Sequence, residues 1–382
     1  MKWFGRKSGR EGSRPVLARG GGTFATLGEW PQSYEAQVRA AYLANPIAQR
    51  AVKIVAEGFA AAPVAASDPA LLALITARSQ GQELGATLAA QLLLHGNAYV
   101  QLLGDGAGGV AELFALRPER VSVETDAGGW PTGYRYRVGN SVTTIAAEDA
   151  AGRAQILHLK AFNPVDDHYG LGCLGAASGA IAIHNAATRW NKALLDNAAR
   201  PSGALVYDAG DGSALSPAQF DRLKTEMENG FAGAANAGRP MLLEGGLKWQ
   251  AMSLSPADMD FVGLKAAAAR EIALAFGVPP MLIGLPGDNS YANYREANRA
   301  VWRTTILPLA DKILTEVAQG LSPWFEGAKL WVDMDRVPAM AEDRERLWRS
   351  VNAAGFLTDA EKRAMVGIGA EIGAAPVVET GP

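Results

Sequence analysis

The sequence predicts an α+β chain whose strands cluster together instead of alternating with helices. Three features carry this reading. Helix-like runs fill residues 34–95. Short alternating segments with aromatic or β-branched residues then crowd into 97–162. Two long helical runs, 173–197 and 255–276, finally bracket a compact insert. A doubly wound α/β fold would need strand and helix to take turns along the chain, and they do not.

Residues 34–59, "YEAQVRAAYLANPIAQRAVKIVAEGF", read as one or two helices. Asn45-Pro46 fits an N-cap followed by the first helical residue, with Ile47, Ala51, Ile54 and Val55 as the apolar stripe. A second helix is expected over 69–95, ending at His95-Gly96. The segments "NAYVQLL", "ELFALRP", "RVSVETD", "YRYRVG" and "ILHLKAF" follow as strands of an antiparallel sheet. "GDGAGG" and "DAGGWPTG" serve as hairpin turns.

The helix 173–197 carries Ile183, Ala187, Trp190 and Leu194 at helical spacing, and Asn185, Arg189, Lys192 and Asp196 as a separate polar row. At about 1.5 Å per residue it is roughly 37 Å long. "ARPSG" breaks it. Within 203–254, "ALVYD" reads as a strand. Ser216, Pro217 and Gln219 start a helix, and a hairpin turns at Gly245-Gly246. The next long helix opens at Ser255-Pro256-Ala257-Asp258 and closes at Gly277 and Pro279-Pro280. Phe261, Leu264, Ala268, Ile272 and Ala275 share one face. Gly263, Ala266, Ala267, Ala273 and Arg270 occupy the other. Small residues opposite an apolar stripe predict close neighbours on two sides. A polar loop, 282–293, leads to a third long helix with the stripe Trp302, Ile306, Leu309, Ile313 and Val317. Pro308 interrupts its hydrogen bonding and predicts a kink. "AKLWVDMD" is a strand with Asp333 and Asp335 on one face. Two short helices, 339–354 and 358–367, end the chain, the second with the capping box Thr358-x-x-Glu361.

Composition excludes several function classes. The chain has 382 residues, 48% of them hydrophobic, and a formal net charge of -3. A sizeable core is affordable, and no global positive field favours nucleic acid or a membrane surface. One cysteine, Cys173, rules out an intrachain disulfide. No apolar run approaches the ~20 residues of a membrane-spanning helix. The opening, "MKWFGRKSGREGSRPVLARGGG", lacks the apolar core of a signal peptide and reads as a basic, Gly-rich arm.

"YGLGCLG" has the Gly170-x-Gly172-x-x-Gly175 spacing of a dinucleotide fingerprint. The match fails on context. Seven residues, including Asp166 and Asp167, separate the preceding strand from Gly170, where a fingerprint needs its glycine directly after the strand. No strand separates Gly175 from Asp196. The glycines read instead as a flexible turn launching a helix. His158, Asp166, Asp167 and His168 are the single metal-like cluster and fit a polar loop better. There is no nucleophile elbow and no P-loop lysine. No catalytic residue, metal site or cofactor is expected.

One stretch is specific: "LSPADMDFVGLKAAAAREIALAFGVPPMLIGLPGDNSYANYREANRAVWRTTILPL". In it Glu271-Ile272, Phe276-Gly277-Val278-Pro279-Pro280, Leu282, Gly284, Asn293-Tyr294, Trp302 and Pro308 resemble the HK97-type portal proteins of tailed phages and gene transfer agents. "HGNAYV", "LRPERV", "ARPSGAL" and "GFLTDAEKR" are similar to further family segments, so the resemblance covers roughly 35–370. Where the family often has Ser-Pro in the Gly-rich turn, this chain has Gly172-Cys173. The resemblance therefore does not carry over that turn's conformation.

The resemblance implies a ring-forming portal-type subunit. Its parts would be an N-terminal arm (1–26), an α/β wing (27–171), stem helices (172–202 and 255–282) and a small α/β clip (203–254). A tunnel loop (283–293), a kinked tunnel helix with a wing strand (294–338) and a short helical crown with tail (339–382) would follow. It also implies a twelve-subunit head–tail connector at a capsid vertex, with double-stranded DNA in its channel. Terminase, a head-completion adaptor and the major capsid protein would be its partners, without membrane or cofactor. On that reading Asp288, Asn289, Ser290, Tyr291 and Asn293 face DNA, and Gly263, Ala266, Ala267 and Arg270 pack between subunits. A packaging nuclease or nucleotide hydrolase is the competing enzyme reading, but it needs a carboxylate cluster or P-loop. Another ring-forming virion adaptor is the third, but adaptors are typically much shorter.

Overall fold

The protein is seen in a computed structural model that describes residues 15–18, 33–79, 81–196, 203–207, 215–231, 247–251, 260–285 and 290–367. Helix α1, Tyr34–Val38, runs on through a π-helical turn, Arg39–Leu43, to Asn45. The Asn45 carboxamide accepts the Ile47 and Ala48 amides, both at 3.0 Å, and starts α2, Pro46–Ala60. Residues 34–59 thus make two helices, divided at the cap the sequence marked.

The single helix expected over 69–95 is broken. Helix α3, Pro69–Thr76, ends where Ala77 turns extended. A small hairpin, β2 (Arg78–Ser79) with β3 (Gln82–Glu83), precedes α4, Leu84–His95. Gly81 turns that hairpin at φ +76, a left-handed value that glycine adopts without steric cost. The other strand of this region, β1 (Val64–Ala66), pairs far down the chain with β12 (Leu330–Val332).

The expected sheet is in fact two. Strand β4 (Asn97–Gly104) lies between β5 (Val110–Leu116) and β9 (Ile156–Lys160). Strand β7 (Pro131–Val138) lies between β6 (Val121–Thr125) and β8 (Ser141–Ala146). A 3-10 turn at Pro118–Arg120 carries the chain from one to the other. Strand β8 had no apolar alternation to reveal it, because only Ile145 among its residues is buried. Tyr99, Leu116, Val121, Val123, Tyr134, Ile145 and Ile156 fill a small core between the sheets. The main core gathers around α2, α4 and the long helices that follow.

Helix α5, Cys173–Asp196, is the first of these. Strand β10 (Gly203–Tyr207), α6 (Pro217–Phe231) and β11 (Leu247–Ala251) form the insert. Strands β10 and β11 pair antiparallel from Gly203↔Ala251 to Tyr207↔Leu247. The turn expected at Gly245-Gly246 lies outside the described residues. Ser216 and Gln219 form the reciprocal cap foreseen for α6, at 2.9 and 3.3 Å.

Helix α7 spans Phe261–Ala275 and is capped by Asp260, later than the start expected at Ser255, which lies outside the described residues. A 3-10 turn, Pro280–Ile283, follows it. Helix α8, Tyr291–Val301, opens behind Ser290. Pro308 sits in the first turn of α9, Leu307–Leu321, and the expected kink takes the form of a π-helical turn at Trp302–Ile306. The Leu307 amide reaches back to the Trp302 carbonyl, so the extra residue per turn absorbs the missing proline donor. Beyond β12 the backbone curls into a 3-10 turn, Met334–Arg336, so Asp333 and Asp335 do not share a strand face. Helices α10 (Ala341–Ala353) and α11 (Asp359–Val366) close the chain, with the Thr358/Glu361 capping box formed.

Residues 15–18 of the arm lie on the sheet region. The Leu17 amide donates to Gly128 O at 3.0 Å, the Trp130 indole to Pro15 O at 2.9 Å, and the Ala18 amide to the Asp167 carboxylate at 2.9 Å.

Candidate functional site

Helices α5 and α7 form an antiparallel pair. Trp190, near the end of α5, stacks on Phe261 at the start of α7 with ring centroids 4.1 Å apart. The pair buries Leu174, Ala177, Ala180, Ile181 and Ala187 from α5, and Ala268, Ala269, Ile272 and Ala273 from α7. This corrects three expectations. Ala273 belongs to the buried face, Leu264 is 43% exposed, and Ile183 is 38% exposed.

The polar row of α5 is also split. Asn185 donates to the Ala40 carbonyl at 2.8 Å, inside the π turn before α2, and accepts from Asn45 at 2.9 Å. His184, beside it, lies 3.2 Å from the same Asn45 carboxamide. Burial, with Lys265 nearby, pushes the His184 imidazole pKa down. Lys192 and Asp196 pair with each other at 2.5 Å on the surface.

The glycines of "YGLGCLG" are not a flexible turn. The Gly170 amide donates to the Asn97 side chain at 2.7 Å, and the Asn97 NH2 donates back to Gly170 O at 3.1 Å. A Cβ at Gly172 would lie 2.6 Å from the Leu94 carbonyl, and one at Gly170 would collide with Gly96 O. Backbone therefore packs on backbone here, which fills the space a pyrophosphate would need. The metal-like cluster likewise disperses. Asp166 takes the His168 and Tyr169 amides, Asp167 takes Ala18, and His158 faces Asn97. Among the described residues no group of three His, Cys, Asp or Glu could hold a metal ion. Likewise, no described helix is long and apolar enough to cross a membrane.

Of the residues expected between subunits, Ala267 and Arg270 are exposed and Ala266 is half-buried. Gly263 has an internal reason to be glycine: its amide is the one the Asp260 cap holds, at 3.1 Å, and a Cβ would strike that carboxylate. At the other end of α7, Gly277 turns left-handed at φ +67 and its carbonyl accepts the Thr305 hydroxyl at 2.7 Å. Thr305 lies in the π turn, so that turn and the end of α7 are joined through this hydrogen bond.

Of the residues expected to face DNA, Asp288 and Asn289 lie outside the described residues. Ser290 is the cap of α8, accepting the Asn293 amide at 3.2 Å. Tyr291 and Asn293 fall in the first turn of that helix, not in a loop. Tyr291 is 78% exposed, with the Arg295 guanidinium 5.7 Å from its ring centroid.

Sequence reasoning missed the ionic cluster that ties α8 to α10. Arg295 meets Glu342 at 3.0 Å, and Arg299 meets Glu296 at 3.1 Å and also Glu342. Arg344 binds Asp335 at 2.5 Å and the Val366 carbonyl at 2.7 Å. The Arg344 hydrogen bond lowers the Asp335 pKa. The spacing of Arg295 and Arg299 shows one helix face, but nothing local names its partners.

A family model for phage portal proteins matches residues 46–367. The chain belongs to the phage portal protein family. Solved structures match it as well. The chain is similar to one from the virion of a native gene transfer agent particle, at 47% identity and TM-score 0.68, covering 89% of this chain and 95% of that one. A related structure is the neck of the native particle computed with C12 symmetry. The HK97-family portal protein from Corynebacterium diphtheriae, at 17% identity and TM-score 0.58, shares the fold, covering 83% of this chain and 99% of that one. A protein of Rickettsia bellii is 39% identical over 345 residues, 86% of this chain and 88% of its own length. This is an HK97-type portal subunit, in the group that includes gene transfer agent portals, and its function is that of a head–tail connector.

Proposed function

We propose that twelve copies of this chain close into a portal ring whose subunits meet through the outer faces of α5 and α7. One observation carries the proposal: each helix of the pair has a second, exposed seam. On α5, Ala176, half-buried Gly179, Ile183 and Ala186 follow one another at three- and four-residue steps, and Ala193 lies two turns further on. On α7, Leu264, Ala267, Glu271 and Leu274 do the same. This is the spacing of helices that pack lengthwise.

The two seams also complement each other in size. A cyclic ring has no rise, so neighbouring copies meet at the height each residue already has in the protomer. Counting from the Trp190–Phe261 contact along antiparallel helices, Leu264 comes within one residue of the level of Ala186, Ala267 of Ile183, and Leu274 of Ala176. At each level a large side chain of α7 or α5 meets a small one of the other. Leu274 is 78% exposed in the protomer, which such a contact would relieve.

The remaining roles follow from ring formation. Loop 283–293, leading into α8, would face double-stranded DNA. The net charge of -3 suits a channel that passes DNA without holding it, because each phosphate neutralised adds affinity. The insert 203–254 would meet terminase during packaging and an adaptor afterwards. Its helix α6 is exposed along nearly all its described residues, with Phe220 at 58%. The major capsid protein would surround the sheets in the virion.

Electron microscopy of the purified protein tests the ring. End-on rings are expected for the wild type. Ala267→Trp should lose them while the subunit's melting temperature holds, since overpacking a contact costs about 1–3 kcal/mol per copy. Unchanged rings in this variant would remove the seam, and a wild type that never closes would overturn the ring. Asp288→Lys would set a ring of cations around the phosphates. Packaged DNA per particle should fall for it in a salt-dependent way and stay near normal for Asp288→Asn. Equal packaging by both would take the loop off the channel wall.

A further inference from the structure

Asn97 is 1% exposed and spends its whole side chain on the junction between the sheets and α5. The two bonds to Gly170 fix which way its carboxamide points. The oxygen takes the Gly170 amide at 2.7 Å, and the NH2 serves the Gly170 carbonyl at 3.1 Å. That orientation assigns both neighbouring histidines. The oxygen also faces His158 Nε2 at 2.9 Å, so that nitrogen must carry a proton. The NH2 faces His95 Nδ1 at 3.1 Å and the His95 carbonyl at 3.2 Å. With one NH2 hydrogen on Gly170 O, the other is shared between the His95 carbonyl and His95 Nδ1, which places Nδ1 as an acceptor and the ring proton on Nε2.

The two imidazoles respond differently to acid. A proton added to His158 goes to Nδ1 and leaves its bond to Asn97 intact. A proton added to His95 must go to Nδ1. There it sets one donor against another and breaks the contact. We propose that His95, through Asn97, is an acid-sensitive latch that fastens the glycine turn, and with it the start of α5, to the wing. What the latch holds is close-packed backbone at Gly170 and Gly172, which has no side chains of its own to keep it in place.

The surroundings keep His95 neutral until the pH is low. Tyr34 of α1 covers its ring edge-on at 4.5 Å. Asn97 of β4 and His158 of β9 close the other side, and His158 is in turn enclosed by the Tyr99 and Tyr134 rings at 4.2 and 5.7 Å. Lys160 and His168 add positive charge toward His158. Among the described residues no carboxylate is bonded to either ring. Burial pushes the His95 pKa down to about 4. Burial, then Lys160, His95 and His168, push that of His158 down to about 3.

The sign follows from linkage. The closed turn binds fewer protons at His95 than the open one between an ordinary histidine value near 6.5 and the depressed value of about 4. Closure is therefore at full strength above about 6.5 and weakens as pH falls toward 4, by up to tenfold in the opening equilibrium per pH unit for one histidine.

Cys173, the chain's one cysteine, sits at the first position of α5 directly after the turn and reports its opening. The experiment follows the reaction of Cys173 with a dipyridyl disulfide, which remains reactive in acid, normalised to free cysteine at each pH. In the wild type the normalised rate should rise by tens-fold between pH 7.5 and 4.5, while far-UV circular dichroism stays constant. His95→Gln should flatten the rise and His158→Gln should keep it. A wild-type rate that does not rise overturns the latch, and so does a rise that merely tracks loss of the circular dichroism signal. The same rise in a folded His95→Gln protein also overturns it. The wild-type titration decides the matter alone if that variant fails to fold.

Discussion

The two sides of the α5–α7 pair are finished differently. The inner side is closed with specific polar contacts. Asn97 clamps Gly170, Asn185 satisfies the Ala40 carbonyl, and Thr305 satisfies Gly277. The outer side carries the same helical spacing with a different lining, mostly alanines, a glycine, Ile183 and exposed leucines, with Glu271 among them. The inner side needs those bonds because backbone groups are buried there, and a buried unpaired carbonyl or amide costs roughly 1–3 kcal/mol. The outer side buries no backbone within one subunit and needs only shape. A subunit built this way is complete as a fold and incomplete as a surface.

The largest effect expected from this comparison comes from forcing a side chain into the inner junction. Gly170→Val places two branches where Gly96 O and the Ala161 backbone already are. We expect a loss of about 4 kcal/mol or more, in the range reserved for severe core disruption. Urea titration of the subunit would measure it. A stability within 1 kcal/mol of wild type would mean that the glycine turn is not packed as described.

A smaller and sharper test uses adjacent alanines on α5. Ala187 is 4% exposed on the inner side, and Ala186 is exposed on the outer. Ala187→Leu should cost the subunit about 1–3 kcal/mol by overpacking. Ala186→Leu should change subunit stability by less than about 0.5 kcal/mol. It should disturb ring closure, because Leu264 of the next subunit would meet a leucine in place of an alanine. Equal effects of the two substitutions on the isolated subunit would erase the distinction between the sides.

Much of the secondary structure was legible because it rests on local chemistry. Asn45-Pro46, Ser216 with Gln219, and Thr358 with Glu361 each announce a helix start with donors and acceptors a few residues apart. The strands that bury one face announced themselves by alternation, and β8, exposed nearly throughout, did not. The break at 77–83 was hidden because "ALITARSQGQELGATL" keeps a helical apolar period across it. Only the pairing of β2 with β3 and the burial of Ser79, whose hydroxyl accepts the Ala115 amide at 3.3 Å, favour the break.

By itself the sequence determined the order of elements, most of their caps and the portal family. These depend on residues within a turn or two of each other, or on a long run of residue types kept in register. It also determined that Pro308 had to disturb its helix, since a proline has no amide to give. Only the tertiary structure decided how each disturbance was resolved and what each polar residue was for. Asn97 meets Gly170 across 73 positions, Asn185 meets Ala40 across 145, and Arg299 meets Glu342 across 43. A hydrogen bond depends on where two atoms end up, not on how many residues lie between them, so the assignment of these side chains had to wait for the fold.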